Sequence, residues 1–280
     1  MANRSGHLLL AVVAGASLRL RAPTASSQQL AANSQQPFSE QERAMQIVVL
    51  TDIHGNLPAL EAALREIQRG GYDLLVHLGD VIGIGPYPAE TLERLLAQPN
   101  IRCIMGNHDW WFVHGLPVTW DEHKRAHQEW IHQQLAPAMR AVVAQWPLTI
   151  TEIFGGSTLT FTHYGLLSTP GDWQPIIPQA TPVALDQLFC DYTTSLLCYG
   201  HHHPFSDLQG RARYINPGSL GCHTTAIARY TTITVAHNGC SVIHHRVPYD
   251  DTPLFEAFEK RQTPQRAFLY KAFFGGRFSA

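Results

Sequence analysis

The 280-residue chain carries little charge and no excess of one sign. Charged side chains make up 15% of the residues, and 20 Lys and Arg against 22 Asp and Glu leave a formal net charge of −2. Extended nucleic acid and anionic membrane surfaces attract proteins that concentrate Lys and Arg on one face. The composition therefore argues against both kinds of partner.

Long apolar runs and paired cysteines are also missing. The run HLLLAVVAGASL at residues 7–18 is too short to span a bilayer as a helix. Residues 1–16 could act as an export signal; otherwise residues 1–44 form a disordered tail or precede a start at Met45. The five cysteines show no CxxC or zinc-type spacing. Their pattern favours a reducing compartment, so we expect a cytoplasmic protein.

Short apolar runs alternate with amphipathic segments from residue 46 onward. Apolar and β-branched residues predict strands at 46–50, 73–78 and 101–105. Apolar residues at helical spacing predict helices at 57–70 and 89–98. A strand–helix–strand order implies right-handed crossovers and a largely parallel, buried sheet.

The second half of the chain changes from helices to strands. Residues 120–146 predict a long helical stretch that Pro137 divides in two, and strand-like runs follow it. No long linker or repeat interrupts residues 46–250. The simplest interpretation is one α/β domain at 45–280 that contains two sheets, with a helical insert at about 110–147.

Polar residues of metal-binding type follow each of the three predicted strands. The segments TDIHGN, LGD and GNHD come directly after them, and ligands bind beyond the carboxyl ends of strands in open α/β sheets. In an extended chain, residues two apart point the same way, so Asp52 and His54 can face one ion. The three strand ends present, in order, Asp52, His54, Asp80, Asn107, His108 and Asp109.

Two later segments add histidines after strand-like runs. FTHYG presents His163, and YGHHHPF presents His201, His202 and His203. A histidine tract alone is a weak signal that fits a polar surface turn equally well. Because His201 and His203 repeat the two-residue spacing, we expect both to face the site and His202 to act as a spacer or to line the cleft. Five such segments together favour a metal site, since imidazole is the commonest metal ligand.

In this order, the five motifs TDIHGN, LGD, GNHD, FTHYG and GHHH resemble those of the calcineurin-like metallophosphoesterases over about residues 46–247. The segments VIGIGPYP and INPGS resemble the bacterial predicted phosphodiesterases of that superfamily. The resemblance implies an α/β fold of four layers, in which a two-sheet β-sandwich is flanked by helices. It also implies two metal ions at the strand ends.

The resemblance assigns a role to each motif residue. His108 would protonate or steady the leaving oxygen, and Asp109 would orient its ring. Two divalent ions are implied, Mn²⁺ first, with Fe, Zn²⁺ and Mg²⁺ as alternatives, because carboxylate, amide and imidazole ligands suit these ions. One ion would be held by Asp52, His54 and His203, the other by Asn107, His163 and His201, and Asp80 would bridge the two.

The implied activity is hydrolysis of a small phosphodiester or phosphomonoester by attack of a metal-bridging hydroxide. The protein Ser/Thr phosphatase branch fits poorly, because GDVIGIGP lacks that branch's Arg and Asp109 stands where it has Glu. Two alternatives stay open: hydrolysis of diadenosine polyphosphates, and a non-catalytic scaffold that binds a protein partner. The apolar segments at 254–258 and 266–274 either cover the core or form a contact in a homo-oligomer.

Overall fold

The computed structural model describes residues 44–237 and 239–278. The predicted export signal and tail lie outside the described residues. The strands are β1 (Met45–Leu50), β2 (Leu74–His77), β3 (Ile101–Cys103), β4 (Thr149–Phe154), β5 (Ser157–Thr162), β6 (Leu196–Cys198), β7 (Ser206–Gln209), β8 (Arg213–Asn216), β9 (Ile227–Ala236) and β10 (Gly239–Pro248). The helices are α1 (Leu57–Gly70), α2 (Pro88–Leu96), α3 (Asn107–His114), α4 (Glu122–Gln133), α5 (Pro137–Val143), α6 (Pro182–Leu188), α7 (Thr252–Lys260) and α8 (Arg266–Phe273).

Two five-stranded mixed sheets form the centre of the fold. The first has the order β10-β9-β1-β2-β3, in which β1, β2 and β3 are parallel and β9 runs antiparallel to both β1 and β10. The second has the order β4-β5-β6-β8-β7, with β5, β6 and β8 parallel. The predicted two-sheet α/β sandwich is therefore confirmed.

The alternation of side chains along β1 explains how the layers pack. Ile47 and Val49 face the second sheet and meet Phe161 and Leu196 in a core between the two sheets. Val48 and the residues in register with it face the opposite way, into a separate core with the helices. Because both faces of these strands are buried, they read as continuous apolar runs.

Helix α1 begins and ends where its sequence predicts. The Asn56 side chain accepts a hydrogen bond from the Ala59 backbone N–H at 3.1 Å, and Pro58 occupies the first turn. At the other end, Gly71 adopts a φ of 72°, and its N–H donates to Ile67. The predicted division of residues 120–146 at Pro137 is also confirmed, by α4 and α5.

Two short helices were not predicted from the sequence. Helix α3 begins inside the GNHD motif, and α6 lies between the second-sheet strands β5 and β6. Both have only seven or eight residues, too few to establish an amphipathic period against flanking loops. No helix among the described residues is long and apolar enough to cross a membrane.

Helices α7 and α8 pack on the body of the domain beside the strand ends. Leu254, Phe258 and Leu269 are buried in one cluster that also contains Ile84 and Cys222. Ile84 follows the LGD motif, and Cys222 follows the NPGS turn. The C-terminal apolar segments thus cover part of the core within the chain, the first of the two expectations for them.

Candidate metal centre

The carboxyl ends of strands from both sheets meet at one site. The first sheet contributes the loops after β1, β2 and β3, and the second contributes the loops after β5 and β6. These loops bring together all seven residues that the sequence analysis predicts as ligands: Asp52, His54, Asp80, Asn107, His163, His201 and His203. Their role as ligands stays a prediction.

One group of donors forms around Asp52. Its Oδ1 atom lies 3.6 Å from Nε2 of His54 and 3.6 Å from Nε2 of His203. The two Nε2 atoms are themselves 3.1 Å apart. Asp52 and His54 are fully buried or nearly so, whereas His203 reaches the surface of the cleft. These three residues are the set predicted to share one ion.

The second group of donors forms around His163. Its Nε2 atom lies 3.0 Å from Oδ1 of Asn107 and 3.4 Å from Oδ2 of Asp80. A donor atom of His201 lies within 4.8 Å of those of Asp80 and His163. The same Oδ2 atom of Asp80 is 3.7 Å from Nε2 of His54, in the first group. Asp80 therefore lies between the two groups, where the sequence analysis predicts a bridging ligand.

Within the described part of the chain, the hydrogen bonds of the site leave one buried carboxylate oxygen at its centre without a partner. Oδ2 of Asp52 accepts from the Thr51 hydroxyl at 2.7 Å and the His201 N–H at 3.0 Å, but buried Oδ1 finds no donor among the described residues. Nδ1 of His163 donates to the Leu78 carbonyl at 2.9 Å, which turns the Nε2 lone pair inward. Buried polar atoms rarely stay unpaired, so the residues present fit bound metal.

The charges of the buried carboxylates also favour cations at this site. Burial raises the pKa of Asp52, but the nearby rings of His54, His203 and His163 together outweigh burial and hold that pKa below its usual range. Burial lowers the pKa of His163, but Asp80 and Asp52 more than offset it and raise that pKa to about 9. Without metal, a proton on His163 would balance the carboxylates, so bound cations would displace protons.

Left-handed backbone conformations, not extended ones, bring the ligands together. Asp52, His54, Asp80 and His201 have φ values of 52°, 49°, 60° and 63°. The extended backbone expected at Asp52 and His54 is therefore wrong. Their side chains nevertheless lie together in one donor group, 3.6 Å apart. Each residue sits in a tight turn, held by bonds such as His54 N–H to the Asp80 carbonyl at 3.0 Å. Strain of about 1–3 kcal/mol per residue is typical of functional sites.

The glycine of the GNHD motif is required by close packing. A Cβ atom added to Gly106 would lie 2.3 Å from Oδ1 of Asp80 and 2.5 Å from its backbone nitrogen. That space is needed because Oδ1 of Asp80 also accepts the His108 N–H at 2.9 Å. Gly106 thus allows the start of α3 to approach the Asp80 loop, which positions Asn107 and His108 at the site.

The predicted contact between Asp109 and the His108 ring is not made. Oδ2 of Asp109 accepts the backbone N–H groups of Asp80 at 2.7 Å and Gly106 at 3.0 Å, so it ties two of the site loops together. The ring of His108 instead has its Nδ1 atom 3.3 Å from Oε1 of Gln128 on α4. Because an amide oxygen only accepts, Nδ1 of His108 is the donor, which leaves Nε2 available.

Sequence reasoning missed Gln128 as a residue of the site, whereas Cys222 flanks the site as its place after the NPGS turn predicts. Gln128 lies in the middle of a polar helix, where nothing in the sequence distinguishes it from its neighbours. The Sγ atom of Cys222 lies within 4.8 Å of donor atoms of His54 and His203. Its thiol is fully buried, and burial raises its pKa. As expected, His202 lines the cleft and does not belong to either donor group.

The donor groups form the floor of a cleft of about 280 Å³. His54, Asp80 and Asn107 contribute to its base. Ile84, Ile176 and Phe273 contribute apolar surface around it. Phe273 belongs to α8, so a C-terminal helix borders the site, which the sequence analysis did not predict. The volume suits a small substrate.

Comparison with known proteins identifies the family. The model of the calcineurin-like phosphoesterase superfamily domain matches residues 45–238. The chain therefore belongs to the calcineurin-like phosphoesterase superfamily, as the motif resemblance implies. The family is metal-dependent, and the histidine and aspartate clusters described above could bind the metals.

Individual relatives agree with this family. An uncharacterized protein of Methanocaldococcus jannaschii is 27% identical over 248 residues, 82% of this chain and 98% of that protein. The phosphodiesterase YfcE of Escherichia coli is 28% identical over 186 residues, 63% of this chain and 79% of that protein. The crystal structure of a metallophosphoesterase from Sphaerobacter thermophilus is similar with a TM-score of 0.61 at 26% identity, covering 82% of this chain and 98% of that one.

Proposed function

We propose that this protein hydrolyses a small phosphodiester or phosphomonoester with the help of two divalent metal ions. The observation that carries the proposal is the position of Asp80, whose Oδ2 atom lies 3.7 Å from His54 Nε2 in one donor group and 3.4 Å from His163 Nε2 in the other. A carboxylate between two sets of imidazoles is suited to bridging two cations. The likeness to a phosphodiesterase supports the choice of substrate class.

The seven residues at the strand ends would hold the ions as the sequence analysis predicts. Bound divalent ions supply Lewis-acid activation of the phosphoryl group and of water. The buried carboxylates of Asp52 and Asp80 would offset the charge of the cations, and the carbonyl of Leu78 would fix the ring of His163. Mn²⁺ is the first ion to test, followed by Fe, Zn²⁺ and Mg²⁺.

His108 would act on the leaving oxygen of the ester. Its ring borders the cleft, and the centroid lies 5.0 Å from that of His54. Its backbone N–H donates to Asp80 and its Nδ1 donates to Gln128, so two contacts fix the ring while Nε2 stays free. With Nδ1–H held by Gln128, Nε2 must also carry a proton before the ring can steady or protonate the leaving oxygen, which it would do without serving as a ligand. Asp109 would support the site through the backbone of residues 80 and 106.

Hydrolysis of two nitrophenyl esters tests the proposal. Metal-stripped protein is titrated with Mn²⁺ and assayed with bis(p-nitrophenyl) phosphate and p-nitrophenyl phosphate. We expect activity that appears only with metal and saturates near two ions per chain, and the better ester identifies a diesterase or a monoesterase. Absence of metal binding, together with absence of turnover, would contradict the proposal and favour the scaffold.

A further inference from the structure

A second cavity, of about 500 Å³, adjoins the cleft. It shares His203 and Phe273 with the cleft, and His223 and Arg229 are among the residues of its remaining wall. Nothing in the phosphoester chemistry described above uses this cavity. Its position beside His203 means that a substrate bound at the candidate metal centre could extend into it.

One arginine lines this cavity, and a second lies beside it on the neighbouring strand. Arg229 on β9 and Arg246 on β10 are directly opposite in the antiparallel register, which places both side chains on the same face of the sheet. Like charges at such positions repel. Neither arginine forms an ion pair with any acidic side chain among the described residues, and the buried Nε atom of Arg229 has no hydrogen-bond partner there. Such a pair is suited to an anion.

The surroundings hold Arg229 beside the metal centre. Nη2 of Arg229 is 2.6 Å from Nε2 of His223, whose carbonyl accepts from Arg277 at 3.0 Å. A Cβ added to Gly218 would lie 3.0 Å from Cδ of Arg229, so the guanidinium arm packs on the NPGS turn. The next residue of that turn, Ser219, donates to the His203 carbonyl at 2.9 Å. One turn therefore contacts both the arginine and a predicted ligand loop.

We propose that Arg229, with Arg246 and His223 beside it, forms an anion subsite that binds a second phosphate group of the substrate. The planar guanidinium donates two parallel hydrogen bonds to phosphate oxygens, and the orphaned Nε–H of Arg229 supplies one of them. This inference rests on the proposed function, because the reacting phosphate would occupy the cleft while the second one occupies the cavity. The substrate then carries two phosphate groups.

Binding of phosphonates tests the subsite without requiring turnover. Mn²⁺-loaded protein is titrated by calorimetry with methylphosphonate and with methylene-, ethylene- and propylenebisphosphonate. We expect at least one bisphosphonate to bind about tenfold or more tightly than methylphosphonate, since charge-assisted hydrogen bonds to a second phosphate group strengthen binding by at least that factor. In Arg229→Gln this gain should disappear, while the affinity for methylphosphonate changes by less than about twofold.

Two further variants keep this test decisive. Arg69→Gln makes the same change of charge at an exposed position at the end of α1, and it should retain the bisphosphonate gain. Arg246→Gln alters an exposed side chain, and it should lose part of the gain. The proposed subsite would be wrong if the native protein and both arginine variants, Arg229→Gln and Arg246→Gln, bound the bisphosphonate with equal affinity. Absence of ester turnover would count against the proposed function alone.

A third cavity, of about 220 Å³, adjoins the other side of His108. It shares His108, Ile84 and Phe273 with the cleft. Trp111 lines it with its ring centroid 4.7 Å from that of His108, and Trp120 lies 4.5 Å from Trp111 at an angle of 74°. Phe268, which is 61% exposed, completes an apolar slot beside these rings.

From this independent observation we infer that the slot binds a flat aromatic group attached to the phosphate. The half-buried Trp111 and Trp120 and the exposed Phe268 gain from burial against a ring, with an additional contribution from edge-to-face geometry. His108 is the residue that the proposed function assigns to the leaving oxygen, so the aromatic group belongs to the leaving alcohol. Together with the anion subsite, the slot would select a substrate that carries an aromatic leaving group and two phosphate groups.

The same calorimetric assay tests the slot with 2-naphthylphosphonate against methylphosphonate. We expect the naphthyl compound to bind about tenfold more tightly, a gain that an aromatic pair and the buried area together provide. Trp120→Ala should abolish that gain and leave methylphosphonate binding unchanged. Trp110→Ala, whose ring stacks on His114 outside the slot, is the matched control and should keep the gain. A naphthyl gain that survives in Trp120→Ala overturns the inference.

Discussion

The floor and the wall of the cleft are built in different ways. The floor consists of strand-end loops whose polar residues are buried, with Asp52 and His163 fully inaccessible. The wall consists of α3, α4, α8 and the loop before α4, where Trp111 and Trp120 are half-buried and Phe268 is 61% exposed. Every loop of the floor is fixed by several hydrogen bonds, whereas the wall offers side chains that have few partners. On the proposed function, the floor would determine the chemistry, and the wall would determine which ester reaches it.

The largest effect is expected from a substitution at the centre of the floor. Asp80→Asn removes the charge that lies between the two donor groups but keeps the size of the side chain. We expect the ability to hold two ions and ester hydrolysis to be lost together, with a decrease in kcat/KM of about 10³-fold or more. Metal content measured by mass spectrometry and kinetics on bis(p-nitrophenyl) phosphate check this.

The matched control for that change is Asp172→Asn, at an exposed residue outside the cleft. It should retain both metal content and activity. If Asp80→Asn also retained two ions and full activity, Asp80 would not be a bridging ligand, and the assignment of the floor would fail at its central residue.

The contrast between floor and wall also explains what the sequence could predict. The floor follows from general rules: parallel strand ends meet at one edge, and each strand end carried a recognisable polar motif. What the sequence did not indicate is how the loops hold the residues. Asp52 and His54 converge through left-handed turns, and Asp109 binds backbone N–H groups instead of the His108 ring.

The wall was less predictable because its contacts join segments that are distant in the chain. Gln128 reaches His108 across a separation of 20 residues, and Phe273 reaches the cleft from near the C-terminus. A glutamine in a polar helix and a phenylalanine in an apolar one carry no local signal of such contacts. Only tertiary packing brings them to the site, so the pattern and spacing of the sequence do not predict these contacts.

A second prediction separates chemistry from metal binding within the floor. His108→Ala removes the ring that borders both the cleft and the aromatic slot, but none of the seven predicted ligands. We expect both metals to stay bound and kcat to fall by about 10²–10⁴-fold, the usual scale for a lost general acid. Loss of metal in this variant would mean that His108 is itself a ligand.

A third prediction tests whether the wall supports the floor. Gln128→Leu removes the acceptor of the His108 Nδ1–H at 3.3 Å. Loss of a residue that orients a functional histidine typically costs about 10–100-fold, and we expect kcat to fall by about tenfold without loss of metal. In the double variant with His108→Ala, the Gln128 change should have no further effect, because it acts only through that ring. Additive losses in the double variant would show that Gln128 acts independently of His108.

The smallest expected effect concerns how the wall is attached. His127 on α4 is buried, and its Nδ1 atom lies 3.1 Å from the Pro264 carbonyl in the segment before α8. Burial lowers the pKa of His127 from 6.5 to about 4. Below about pH 6.5 the unfolded chain therefore binds a proton at His127, whereas the folded protein stays unprotonated there until about pH 4. The stabilising contribution of His127 is complete above pH 6.5 and declines as the pH falls toward 4. Between pH 8 and pH 6 the loss is about 0.8 kcal/mol.

Replacement of His127 by an amide isolates this contribution from the histidines of the floor. His127→Gln keeps a donor for the Pro264 carbonyl but does not titrate. Urea unfolding with saturating Mn²⁺ should show the free energy of unfolding falling less between pH 8 and pH 6 in the variant than in the native protein, by about 0.8 kcal/mol. The floor contributes equally to both curves, so their difference reports on the wall. Parallel curves would mean that the α4–α8 junction opens enough to hydrate His127 before the protein unfolds, and the wall would then be a mobile part of the cleft.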